Sequence, residues 1–260
     1  MDLGIAGRKA IVCASSRGLG KASAFALSRE GVAVVINGLD AQRLEDTAQE
    51  IRSLTGGQVT AVRADITTDD GRRTLVAACP DADILVNNNA GPKPGRFEDW
   101  TQADWLNVLN ANMLAAVALI QVLMPGMRER RFGRIVNILS AMTKSPHYPE
   151  MGQSTAARLG LMGVSKSLSR VVAKDNVTLN NLLPERIDTD RQRFMADRMV
   201  REQGITIEEA RRQIVATIPA GRFGRTEEFG DTCAFLCSNN AGFMSGQNIQ
   251  LDGGAYEAVI

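Results

Sequence analysis

Seven short apolar runs, separated by segments with helical spacing, constrain this chain more than anything else in it. Residues 9–14 (KAIVCA), 32–36 (VAVVI), 59–63, 84–87 (ILVN), 134–138 (RIVNI), 178–183 and 248–251 read as strands. Apolar runs this short, without strict polar alternation, mark strands buried on both faces. Helical spacing fills the gaps, over 20–30 with Ala22, Phe25, Ala26 and Arg29 on one face, and over 41–54. The alternation predicts a doubly wound α/β fold, with a seven-stranded parallel sheet and helices on both faces. No linker, composition break or internal repeat divides residues 1–260, so one domain is expected.

Composition narrows the partners. Thirty Lys+Arg against 29 Asp+Glu leave a formal net charge of +1, which gives a polyanion nothing to grip, so no nucleic acid is expected. The most apolar stretch, 113–124, is too short to span a bilayer and is interrupted by Gln121, so no membrane is expected. The N-terminal segment lacks a basic-then-apolar leader pattern, which points to a cytoplasmic protein. A single histidine, and four cysteines without a Cys-x-x-Cys pair, argue against zinc, and no metal is expected. Cys233 and Cys237, four apart in an apolar helix, read as core packing, with a redox pair as the alternative.

Two segments carry more than fold. Cys13-Ala14-Ser15-Ser16-Arg17-Gly18-Leu19-Gly20 lies between the first strand and the first helix. A glycine-rich turn in that place aims backbone N–H groups and the positive helix end at a pyrophosphate. The second segment, 185–217, is dense in charge and holds two expected helices, the latter entered at Thr206 with Glu208 and Glu209 in its first turn. It reads either as a solvated helical pair or as a flap over a ligand crevice at the strands' carboxyl ends.

These features, with several more, resemble the short-chain dehydrogenase/reductase family over nearly the whole chain. The turn from Ala14 to Gly20 is similar to the family's TGxxxGxG motif. Asp65 follows the third strand, and Asn87-Asn88-Asn89-Ala90-Gly91 resembles NNAG after the fourth, in either of two alignments. Asn112, the run Arg134 to Ser140, the stretch Pro219 to Gly224, and Asp252-Gly253-Gly254 match further family motifs. The resemblance implies a Rossmann-type domain and a nicotinamide dinucleotide. It implies cofactor contacts at Ala14, Ser15, Ser16, Arg17, Gly18, Leu19, Gly20, Leu39, Asp65, Ile66, Asn88, Asn89, Ala90, Gly91, Pro184, Glu185, Ile187 and Thr189.

NADP is the expected form, with NAD as the alternative. The place where NAD-using members carry Asp falls at about Gly38, followed by Leu39, so no carboxylate repels a 2′-phosphate. Arg17 and Arg43 are the candidate phosphate ligands. Ala14 replaces a motif glycine, which costs ~1–2 kcal/mol if that residue is left-handed and nothing if it is not.

The catalytic motif is altered. Ser140 stands where the family has its Ser, and Asn112 where it has its relay Asn. The family's Tyr-x-x-x-Lys reads Ser154 to Arg158. An aliphatic hydroxyl is a far weaker acid than a phenol, and a guanidinium keeps its proton. Ser154 and Arg158 still share a helix face, so the resemblance leaves substrate positioning to Ser140 and Asn112, and the ribose to Arg158. Tyr148 and His147, in the proline-bounded loop SPHYP, are candidates for the missing acid, each with an ordinary loop side chain as the alternative. Glu185 stands for the glycine of the family's Pro-Gly. It could pair with Arg158, Arg186 or Arg191, serve as a base, or face solvent.

Together these features resemble a divergent branch close to 3-oxoacyl-carrier-protein reductases. That implies an oxidoreductase acting on a small carbonyl or alcohol substrate. A catalytically silent nucleotide- or metabolite-binding protein and a non-redox dehydratase or isomerase remain alternatives. The apolar helices around 112–124 and 156–172 resemble those of family interfaces, which implies a homotetramer or homodimer.

Overall fold

The computed structural model describes residues 1–259. Strands β1 (Lys9–Val12), β2 (Ala33–Gly38), β3 (Val59–Arg63), β4 (Ile84–Asn87), β5 (Gly133–Ile138), β6 (Val177–Pro184) and β7 (Asn248–Leu251) form one sheet in the order β3-β2-β1-β4-β5-β6-β7. Every neighbouring pair is parallel. The winding direction reverses between β1 and β4, which opens a crevice beyond the strands' carboxyl ends.

Side chains alternate across the sheet and feed two cores. Ala10 and Val12 of β1 point into one, with α1 (Gly18–Arg29), α2 (Ala41–Thr55) and α9 (Thr226–Leu236). Ile11 points into the other, with α3 (Asp69–Ala77), α5 (Ala115–Glu129) and α6 (Gly152–Val172). Cys233 and Cys237 are fully buried in the first core, as packing requires. Helix α1 starts two residues earlier than its apolar spacing suggests. β2 runs on to Gly38, because β3 pairs with it there, Gly38 opposite Arg63.

The apolar stretch around 113–124 is not a short helix. α4 (Gln102–Leu109) continues through a π-helical turn, Asn110–Leu114, into α5, giving 28 helical residues, long and apolar enough to cross a membrane by length and composition. Leu119, Ile120, Leu123 and Met127 bury one face against the sheet, so this helix serves as a core helix of the layer. The π turn admits one extra residue, the kind of insertion that re-aims side chains at functional sites. Here it carries Asn112.

The charged segment forms α7 (Asp190–Gln203) and α8 (Ile207–Val215). Thr206 caps α8 by accepting from Glu209 N at 3.2 Å. The pair is more than a solvated excursion. Ala196, Ala210 and Ile214 make a small core of their own, closed by Met199, Val200, Ile205, Ile207 and Phe223.

A chain of asparagine side chains crosses the sheet. Asn87, Asn137, Asn181 and Asn248 are register partners on β4, β5, β6 and β7. Asn87 Nδ2 donates to Asn137 Oδ1 at 2.8 Å. Asn137 Nδ2 donates to Asn181 Oδ1 at 2.9 Å and to Ser165 Oγ at 2.9 Å. Asn181 Nδ2 donates to Asn248 Oδ1 at 2.8 Å. Asn137, fully buried, is the hub. Replacing it with Leu strands buried donors and acceptors on three neighbours, each worth ~1–3 kcal/mol when unpaired. Asn137→Leu is expected to lose about 3 kcal/mol in urea unfolding after relaxation, against a smaller loss for Asn248→Ala at the end of the chain. Equal losses would show that no cooperative ladder exists.

Candidate active site

The glycine-rich turn is built by local contacts. Ser15 Oγ donates to Val12 O at 2.7 Å and accepts from Asn37 N at 2.9 Å, locking the turn to β2. Asn37 Nδ2 also donates to Ala64 O at 2.9 Å, which ties in the end of β3. Gly20 is obligatory: a Cβ there would lie 2.5 Å from Ala14 O. Arg17 occupies the N-cap of α1 without a side-chain cap, so the first-turn N–H groups of the helix face the crevice uncapped by a side chain. Asn88 Nδ2 holds the other side of the turn, donating to Ala14 O at 3.1 Å. Uncapped donors beside a backbone cradle that only glycine can line fit a dinucleotide pyrophosphate. Ser16 packs behind Gly38, and Leu19 and Ala14 are half-buried in the same wall.

Ala14 is left-handed, with φ 43°. The replaced glycine was therefore in a strained position, and the Cβ carries the cost.

Arg17 does not stand free for a 2′-phosphate. Its Nη1 pairs with Asp190 Oδ2 at 3.2 Å, across to the first turn of α7. Thr189, the N-cap of α7, lies opposite Gly18, where an added Cβ would come within 3.9 Å of its Cγ2. Arg43 leans on Asp40 at 3.7 Å. Sequence spacing gave no hint of Arg63. It ends β3 opposite Gly38, and its Nε donates to the exposed Leu39 carbonyl at 3.0 Å. Only the strand register reveals it. Asp65 is turned into its own loop, with Oδ1 accepting from Thr67 N at 2.9 Å and from Thr67 Oγ1 at 2.7 Å.

A pocket beyond β4 and β5 brings together Ile66, Asn88, Asn89, Asn112 and Arg158. β4 ends at Asn87, which belongs to the ladder and also lines the pocket with Asn88 and Asn89. Asn89 Nδ2 donates to Ala111 O at 3.0 Å in the π turn, and its Oδ1 accepts from Ala90 N at 2.8 Å. Asn87 Oδ1 is a buried acceptor with no hydrogen-bond partner among the described residues. Gly91 lies over Arg158, and a Cβ there would be 3.4 Å from Nη2.

Ser154 and Arg158 sit one turn apart on α6, both buried, and Arg158 Nη1 donates to Ser154 Oγ. Burial, and then the nearby Arg191, bring the Arg158 guanidinium down to about 10. It is still charged at neutral pH. Ser140, just past β5, accepts from Met142 N at 3.2 Å. Ser154 and Arg158 therefore share one face of α6 and are joined there by a hydrogen bond.

Tyr148 and His147 differ. His147 is exposed, and its Nδ1 meets Ser145 Oγ at 3.0 Å. Tyr148 is half-buried and its hydroxyl accepts from Arg186 Nη2 at 2.6 Å. Arg186 follows Pro184 and Glu185 in a left-handed conformation, φ 52°, so the positive φ falls one residue after the position that replaces glycine. Glu185 pairs with Arg186 at 3.1 Å, not with Arg158 or Arg191. It is not solvated either: burial raises its carboxyl above the ordinary value, opposed by Arg186 and His147. Glu185 lines a second cavity with Ile187, Ile218, Leu251 and Asp252, away from Ser154.

An all-parallel sheet of this order, a glycine turn before α1, and a Ser-x-x-x-Arg face on α6 define a dinucleotide-fold oxidoreductase class. Residues 13–256 match the family model described as Enoyl-(Acyl carrier protein) reductase. Nodulation protein G of Rhizobium sp. (strain N33) is 34% identical over 254 residues, covering 96% of this chain and 97% of that protein. The 3-oxoacyl-[acyl-carrier-protein] reductase FabG of Aquifex aeolicus (strain VF5) is 30% identical over 260 residues, covering 98% of this chain and all of the relative. L-sorbose reductase from Gluconobacter frateurii, in complex with NADPH and L-sorbose, superposes with a TM-score of 0.94 at 29% identity, with both chains covered in full. The chain belongs to the short-chain dehydrogenase/reductase family and resembles its 3-oxoacyl-carrier-protein reductases.

Restoring glycine at position 14 tests the strain. Removing a left-handed Cβ returns ~1–2 kcal/mol, less the ~0.4–1 kcal/mol by which glycine loosens the unfolded chain. Ala14→Gly is expected to gain about 1 kcal/mol in urea unfolding. A loss of stability would mean that the Cβ contributes packing that outweighs its strain.

Proposed function

We propose that this protein is an NADP(H)-dependent oxidoreductase interconverting a small-molecule carbonyl and its alcohol, with NAD(H) as the weaker cofactor. The whole-chain similarity to a reductase in complex with NADPH, together with the uncapped glycine turn, supports this reading. When bound, the nicotinamide supplies or accepts the hydride. Thr189, Gly18 and the uncapped turn would hold the pyrophosphate, and Arg158 the ribose hydroxyls. Arg63 and Arg43 flank the end of β2, where a 2′-phosphate would lie, and no carboxylate stands at Gly38. Ser140 and Asn112 would position the substrate oxygen.

Ser154 cannot supply the proton efficiently, and we assign that role to Tyr148. The carrying observation is the bond from Arg186 to the phenol. Arg186 has no acceptor, so Tyr148 must accept in that bond and its own O–H is left to donate elsewhere. The guanidinium of Arg186 thus orients the phenol of Tyr148 from the turn after β6. His147, exposed and tied to Ser145, is the weaker candidate. A silent binding protein is the second reading, favoured by the buried Ser154–Arg158 pair. A Glu185-based dehydratase is disfavoured by the pairing of Glu185 with Arg186.

Fluorescence titration with NADPH and NADH tests the cofactor, with micromolar binding and preference for NADPH expected. In a carbonyl-reduction screen, Tyr148→Phe is expected to lose ~10²–10⁴-fold in kcat, the usual worth of a general acid, with NADPH affinity unchanged. His147→Ala should lose little. Full activity in the doubly substituted His147→Ala/Tyr148→Phe protein would remove both candidates.

Self-association is part of the proposal. α4, α5 and α6 leave Leu106, Leu114, Val122, Leu159 and Val171 exposed, and Gly163 has open space over it. Light scattering is expected to give a homotetramer, or a homodimer as the smaller unit, and Val122→Lys should lower the order. A monomeric wild-type protein would overturn this.

A further inference from the structure

Arg158 at the pocket and Arg191 near the start of α6 are satisfied differently from the buried Arg134. Arg134, 1% exposed, is a structural cation. Its Nε donates to Ser238 O at 3.0 Å, its Nη1 to Gly133 O and Asn176 O at 2.9 Å each, and its Nη2 to Asn176 Oδ1 at 3.3 Å, while the Phe132 ring packs on it. Arg158 is 9% exposed, and among the described residues its guanidinium makes one hydrogen bond, to Ser154, and no ion pair. Arg191 is half-buried in the first turn of α7. Its Nη2 meets only the Met151 sulfur, at 3.7 Å, with the Phe194 ring 5.6 Å from its Cζ. A thioether is a weak acceptor.

The nearby carboxylates are engaged elsewhere. Asp190 pairs with Arg17 and Arg193, and Glu185 with Arg186. No acidic side chain lines the pocket beside Arg158. Met151, the N-cap of α6, and Ser154 lie three residues apart, so the groups that meet Arg191 and Arg158 share the first turn of that helix. Burial, and then Arg191, lower the pKa of Arg158, and burial lowers that of Arg191. Two desolvated like charges without a counter-ion are costly. A ribose hydroxyl offers a hydrogen-bond acceptor but no charge. The cofactor's pyrophosphate belongs at the glycine turn, on the Arg17 side. The compensating anion therefore comes with the substrate.

We propose that the substrate is an oxo acid whose carboxylate is held between Arg158 and Arg191, a conclusion that rests on the carbonyl–alcohol reading above. A planar carboxylate matches the guanidinium fork in two parallel hydrogen bonds, and Arg158 retains donors for it after Ser154 is served. The uncharged walls Asn88, Asn89 and Asn112 then face the carbonyl end. Gly91 keeps the space over Arg158 Nη2 free of a side chain.

Calorimetric titration tests this without turnover, using short 2-, 3- and 4-oxo carboxylates and their methyl esters at fixed ionic strength, with and without saturating NADP⁺. At least one carboxylate is expected to bind about tenfold or more tightly than its ester, the worth of one charge-assisted contact, and to keep binding when NADP⁺ is present. Arg191→Gln is expected to remove that preference and Arg191→Lys to recover part of it. Arg158→Lys, which keeps the charge but not the fork, serves as the second variant. Equal binding of acid and ester, or a preference that survives Arg191→Gln, overturns the proposal. Competition by NADP⁺ also overturns it, by assigning the two cations to a cofactor phosphate. A parallel NADPH titration separates the two readings: NADPH binding without carboxylate preference sinks this inference alone, and carboxylate preference without NADPH binding sinks the oxidoreductase reading alone.

Discussion

The side-chain ladder from Asn87 through Asn137 and Asn181 to Asn248 fixes where everything at the carboxyl edge comes out of the sheet. Backbone hydrogen bonds alone permit a parallel sheet to slip in register, since every residue offers the same donor and acceptor. Apolar faces resist a slip of one residue, which would turn each strand inside out, but resist a slip of two much less. A row of amides that must meet amides on both sides removes that freedom, because a slipped strand would leave buried polar groups unpaired. Asn88, Ser140 and Glu185 each follow a ladder strand within a few residues. Their relative positions therefore inherit the precision of the ladder, and Ser165 extends that precision to α6, which carries Ser154 and Arg158.

On that frame the site has moved its charge without losing its plan. Ser154 and Arg158 keep the spacing of the family's Tyr and Lys and remain hydrogen-bonded, but neither can change protonation near neutrality. A phenol hydrogen-bonded to a cation reappears at Tyr148 and Arg186, held by the loop after β5 and the turn after β6. The left-handed backbone at Arg186 is a cost of roughly 1–2 kcal/mol, and it swings the guanidinium onto Tyr148 and Glu185 together. Backbone strain that persists beside a pocket is commonly retained for what it positions.

The strands were legible because their apolar runs have no helical competitor, and the parallel pairing followed from the helices between them. Gly20 was legible too, since its role is a local close approach. The ladder was not. An asparagine in a buried run reads as a polar interruption, and only pairing across strands turns four interruptions into one network. The length of the α4–α5 helix was hidden by the π turn, which shifts the periodicity by one residue at Asn110–Leu114. Arg17 and Asp190 are 173 residues apart, and no spacing rule links them. The Ser154 and Arg158 spacing was visible at once, but the contact between Tyr148 and Arg186 depends on a loop and a strand end meeting in space.

The charged segment from Glu185 joins these parts because the first turn of α7 faces two ways. At its base, Ile187 bridges to Gly224, and Asp188 receives a two-pronged contact from Arg211 at 2.9 and 3.3 Å. Two residues on, the exposed Arg17–Asp190 pair ties the first turn of α7 to the glycine turn, a contact worth ~0–1 kcal/mol in water. Asp190 points at the cofactor turn, and the next residue, Arg191, points at the end of α6. Any displacement of Asp190 by a phosphate at Arg17 acts on the same helical turn that places Arg191. The glycine turn and the N-terminal end of α6 are thus linked through the single backbone step from Asp190 to Arg191.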